Sequence, residues 1–219
     1  MSIEFDRKEV TWIIISIIIF TFIILFPIID PNPFLLIIPA IIIITNVIAK
    51  KYAANYFNIK IKYNVWQFQR YWFHSRSKLK KPIPMGLIFP FFLAFFSLGL
   101  IKPFIFLQFD YENNEQKRML KRTGRIRRTE INESDPAFTA AWGFYALLIL
   151  SIISVLLASI TEFSLFLDLA KYSLFYGAWN LLPISNLDGA KLFFGNVFNW
   201  AVLAFIFFIA VLATAGLAV

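Results

Sequence analysis

Few residues in this chain could do chemistry, and the most concentrated group lies in an apolar stretch of the C-terminal third: Asn180-Leu181-Leu182-Pro183-Ile184-Ser185-Asn186-Leu187-Asp188-Gly189. Asp188 is a carboxylate near membrane depth, where an ionisable group is costly and marks a functional site by default. Pro183 removes a backbone donor and clashes with the preceding turn, so a helix through it kinks or opens. Asn180 and Asn186 place amide donors and acceptors on either side of that break. Together these residues offer a polar notch with one negative charge. Each also has a plainer reading: Asp188 at a helix end facing water or paired with Lys191, and Pro183 and Gly189 as an ordinary kink and C-cap. The rest of the inventory is restrictive. The chain has no cysteine, which excludes disulfides and thiolate metal sites. It has one histidine, His74, so no site with two imidazoles can be assembled.

The elements that must position these groups belong to a membrane protein. Of 219 residues, 59% are hydrophobic and only 16% are charged, more apolar surface than a soluble domain of this size can hide. The charge-free runs are Val10–Ile29, Pro31–Ala49, Pro82–Ile101, Pro136–Thr161, Tyr172–Leu187 and Leu192–Val219. About 20 apolar helical residues cross roughly 30 Å of hydrocarbon, and four of the six runs reach that length. The expected fold is an all-α polytopic membrane protein of five to six transmembrane helices, forming one membrane domain over residues 1–219. The first run lacks a small-x-small cleavage site at its end and reads as a signal anchor.

Charge sets the expected topology. The loop Lys50–Lys81 holds nine basic residues and no acid, and Asp110–Asp135 holds seven basic residues with six acids. Both are expected to be cytoplasmic, with Thr161–Ala170 outside and the N-terminus inside, in a multi-pass protein of the cell membrane. Segment 82–109 must then begin and end on one side. Its Pro84, Gly86, Pro90, Gly99 and Pro103 favour a re-entrant hairpin over a straight span, with a full crossing as the alternative. In Lys50–Lys81 the aromatics Tyr52, Tyr56, Phe57, Tyr63, Trp66, Phe68, Tyr71, Trp72 and Phe73 interleave with Lys and Arg, which suits interfacial strands or a helix on the inner leaflet. The expected partners are therefore membrane lipids and other transmembrane segments. The net charge of +8 beside these spans is not a nucleic-acid signal.

The Asn-x-x-Pro and Leu-Asp-Gly pattern of 180–189 resembles the third-ligand segment of the site-2 proteases, the intramembrane zinc metalloproteases. The resemblance covers residues 31–200. It implies that Asp188 occupies a zinc-ligand position and that Asn180 and Pro183 open the helix on the substrate side, with Asn186 and Gly189 in the same segment. Asp135-Pro136-Ala137 is similar to the family's Gly-Pro start of the preceding span, and Val47-Ile48-Ala49-Lys50-Lys51-Tyr52 to the stretch after its His-Glu-x-x-His helix. On that match the His-Glu-x-x-His positions fall on Ile41-Ile42-Ile43-Ile44-Thr45, which offer neither imidazole nor general base. The implied protein is a catalytically inactive relative with no expected cofactor, whose polar notch holds other transmembrane segments. The rivals are an active zinc metalloprotease with atypical ligands and, last, a small-solute carrier.

Overall fold

The computed structural model describes residues 5–26, 33–70, 78–113, 132–161 and 163–216. His74 and the basic stretch 114–131 lie outside the described residues, as do Tyr71, Trp72 and Phe73. The chain is mostly helical. Four helices are long and apolar enough to cross a membrane: α1 (Arg7–Leu25), α2 (Ile37–Tyr56), α4 (Ser134–Thr161) and α7 (Val197–Gly216). Between them stand the 12-residue α3 (Met85–Phe96), the 17-residue α5 (Ser164–Asn180) and the 8-residue α6 (Asp188–Gly195). At 1.5 Å per residue α3 spans only about 18 Å.

The helices pack because each long apolar run turns one side inward and leaves the other for lipid. Phe20 of α1, Ile42 and Ile43 of α2, Phe144 and Leu147 of α4, and Phe207 of α7 are fully buried. The outward side is equally apolar: Ile160 and the α7 residues Phe198, Phe205 and Phe208 are exposed. A stable exposed surface of that kind requires hydrocarbon as solvent.

The all-α expectation needs one amendment. Two antiparallel pairs of short strands lie between the helices, β1 (Ile59–Val65) with β4 (Leu107–Asn113), and β2 (Phe68–Arg70) with β3 (Lys78–Ile83). In β1–β4, Ile59 faces Asn113 and Val65 faces Leu107. The period-two pattern of β1 explains the pairing. Ile59, Ile61, Tyr63 and Val65 are buried against the helices, while Lys60 and Lys62 face outward. Lys62 donates to both Glu112 oxygens, at 2.9 and 3.1 Å, which holds its ammonium above the ordinary lysine range.

Segment 85–106 is a helix, a turn and an irregular return leg, and its two ends meet on one residue. The Gly86 N–H donates to the Trp66 carbonyl, and the Trp66 N–H donates to the Phe106 carbonyl, each at 2.8 Å. Gly86 has no side chain because a Cβ there would collide with the Phe106 carbonyl. The turn passes through Leu98 and Gly99, both at positive φ (51° and 81°). The return leg has no regular secondary structure, and its Phe104, Ile105 and Phe106 are buried. Phe20 packs against Phe104 (4.6 Å between ring centroids), Phe106 (5.3 Å) and Tyr176 (5.6 Å), fixing this leg between α1 and α5.

Candidate functional site

The notch segment is broken where Pro183 predicts. α5 ends at Asn180, residues 181–187 are not helical, and α6 begins at Asp188. The break frees carbonyls that need partners. The Leu181 carbonyl accepts from Trp200 Nε1 at 2.9 Å. Gly189 lies so close to Leu181 that any Cβ would collide with its carbonyl, so the tight return onto α6 requires glycine there. Asn180 is buried and its Nδ2 donates to the carbonyls of Tyr176 and Phe104, both at 2.8 Å. One carboxamide therefore ends α5 and anchors the return leg of the hairpin.

Asp188 is 3% exposed, and its partner is Lys50 of α2, which is 2% exposed. Lys50 Nζ donates to Asp188 Oδ2. The rings of Phe109 and Phe144 lie 5.8 and 6.0 Å from that ammonium. The stem of Lys50 runs against the bare backbone of Gly143 on α4. A Cβ at Gly143 would lie 2.9 Å from Lys50 Cγ and 3.0 Å from Asn46 Nδ2. Asn46 is thus beside the lysine, one helical turn before it and on the same face of α2. Three polar atoms in this region are buried with no hydrogen-bond partner among the described residues: Asp188 Oδ1, Asn46 Nδ2 and Asn180 Oδ1.

The remaining notch residues are elsewhere. Asn186 and Pro183 are exposed on the loop surface. Lys191 does not pair with Asp188; it donates to the Asn186 carbonyl at 2.8 Å and its ammonium lies 3.9 Å from the Phe109 ring centroid. Lys50 and Lys51 are not the start of a basic loop, because α2 continues to Tyr56 and buries both. Lys51 reaches Glu9 of α1 at 2.7 Å, and Glu9 also accepts from the backbone N–H groups of Tyr63 (2.9 Å) and Asp6 (3.0 Å). Ile41 is exposed and Thr45 is half-buried, whereas the polar residues on the Asp188 side of α2 are Asn46 and Lys50. These two lie five positions beyond Ile41 and Thr45, the residues that the resemblance matches to the two histidines. An Asn and a Lys four residues apart in an isoleucine-rich run were the signal that could have found them.

This donor set does not fit zinc. A catalytic zinc site takes three protein ligands, commonly imidazoles with a carboxylate, and keeps one open position. Here a carboxylate is joined by a carboxamide and by an ammonium, which has no lone pair to give. Among the described residues no three His, Cys, Asp or Glu side chains converge. Comparison of the chain with family models, curated proteins and solved structures gives no match.

Proposed function

We propose that this protein is a catalytically inactive, site-2-protease-like membrane protein that holds transmembrane segments of other proteins at the opening between α5 and α6. The observation that carries the reading is the Lys50–Asp188 pair: the carboxylate at the ligand position is neutralised by an ammonium. The loop 181–187 beside it exposes Leu182, Pro183, Ile184, Ser185 and Asn186, a mixed apolar and polar surface. A partly unwound transmembrane segment finds there the hydrogen-bond groups that lipid cannot supply. In this reading the chain crosses the cell membrane through α1, α2, α4, the α5–α6 pair and α7. The N-terminus and the strand pairs are cytoplasmic, and segment 85–106 is re-entrant.

The test uses the purified full-length chain in liposomes with two labelled synthetic helices, a plain polyleucine span and one carrying a central Asn-Pro break. Energy transfer should report binding of the broken helix, weakened several-fold by Asn186→Ala, and no cleavage of either helix. Equal binding of both helices, or no binding, would overturn the holding role. Stoichiometric zinc with chelator-sensitive cleavage would instead establish an active metalloprotease.

A further inference from the structure

Asn46 and Lys50 of α2 have the i, i+4 spacing of a metal-ligand pair and the wrong chemistry for one. We infer that Lys50 is a built-in counter-cation, its ammonium replacing a divalent ion in a frame made of Asn46, Lys50 and Asp188. The inference rests on the proposed reading only in taking Asp188 as a ligand position.

Two observations support it independently of that resemblance. The first is spacing. Asn46 and Lys50 stand at i and i+4 on the buried face of α2, the separation at which two side chains of one helix share a metal, and a carboxylate from a second element closes the group. The second is the unused hydrogen-bonding capacity. A buried ion pair with a purely structural role is ordinarily wrapped in hydrogen bonds that satisfy the remaining polar atoms. Here Asp188 Oδ1, a spare acceptor on the paired carboxylate, has no hydrogen-bond partner among the described residues. The contrast with the neighbouring pair is direct, since both Glu9 oxygens are used, by Lys51, Tyr63 and Asp6. Gly143 completes the frame, because its missing side chain makes room for the lysine stem that brings positive charge to the carboxylate.

The frame should therefore accept a metal once its donors are supplied. The full-length variant Asn46→His/Lys50→His, purified in detergent, should take up one Co²⁺ per chain, read by elemental analysis and by the visible bands of four- or five-coordinate cobalt. Adding Asp188→Asn should weaken uptake at least tenfold, and the wild-type chain should take up none. A second pair of variants decides the matter if the histidine variant does not fold. Lys50→Met alone should lower the thermal midpoint, and Lys50→Met/Asp188→Asn should recover most of the loss, because two neutral groups replace two opposed charges. A folded histidine variant that takes up no Co²⁺, or keeps it after Asp188→Asn, would overturn the inference. So would a Lys50→Met loss that Asp188→Asn leaves unrepaired. Zinc in the wild-type chain would overturn the inactive reading itself, whereas a metal-free wild type with a metal-free histidine variant would overturn the counter-cation frame alone.

Discussion

Lys50 and Asp188, 138 residues apart in the chain, form an ion pair in which neither side chain reaches solvent. The pair joins the C-terminal half of α2 to the first turn of α6, so the loop 181–187 is held at both of its ends, by Asn180 and by Asp188. Removing one partner of a buried pair leaves an uncompensated charge and costs about 3–5 kcal/mol. Asp188→Ala should accordingly lower the thermal midpoint in detergent by many degrees. An unchanged midpoint would show that Lys50 finds another partner at no expense.

Gly143 gives a prediction about packing. A methyl group there meets both the Lys50 stem and the Asn46 amide, and overpacking of a filled interior costs about 1–3 kcal/mol. Gly143→Ala should destabilise by that order, and the penalty should shrink when Lys50→Ala shortens the obstructing side chain. Additive losses in the double variant would place the strain elsewhere.

The two solvent environments of lysine in this chain should behave differently. Lys51 meets Glu9 with both side chains buried, whereas the Lys62–Glu112 pair is 53% and 60% exposed. Lys51→Met should lower the thermal midpoint clearly, with an effect insensitive to added salt. Lys62→Met should change it little, since water and ions already screen that pair. A larger loss from the exposed pair would contradict the burial argument.

The hairpin predicts a labelling pattern. Lys81 and Tyr111 are exposed and flank segment 85–106. The chain has no native cysteine, so Lys81→Cys and Tyr111→Cys can each be probed alone with a membrane-impermeant maleimide. Both should react from the same face of a sealed vesicle. Labelling from opposite faces would mean that the segment crosses.

What could be read in the sequence followed from how local its cause was. The four long apolar helices follow from uninterrupted runs, and the break between α5 and α6 follows from Pro183 and Gly189, whose effects reach only a few residues. The end of α2 is not legible, because Lys50 and Lys51 read as the first residues of a charged loop. Their carboxylates lie 138 and 42 positions away, and nothing near them in the chain announces a partner. Asn46 is marked only by its spacing, four residues before Lys50 in an isoleucine-rich run. The strands are half visible: Ile59, Ile61, Tyr63 and Val65 alternate with polar residues, as Leu107, Phe109 and Tyr111 alternate with Gln108, Asp110 and Glu112, but that these two runs pair is set by the fold and not by either run.

The backbone of Trp66 has a consequence for the bookkeeping of sides. Because it binds both Gly86 and Phe106, the 85–106 segment returns the chain to where it left, and in the proposed topology it contributes nothing to the parity of crossings. That parity is set by α1, α2, α4, the α5–α6 pair and α7 alone. Their number is odd, so the proposed topology puts the start of α1 and the end of α7 on opposite faces of the bilayer. Reporter tags fused to the two ends would therefore give opposite signals. Counting the hydropathy peak at 82–101 as a crossing would invert every loop downstream of it.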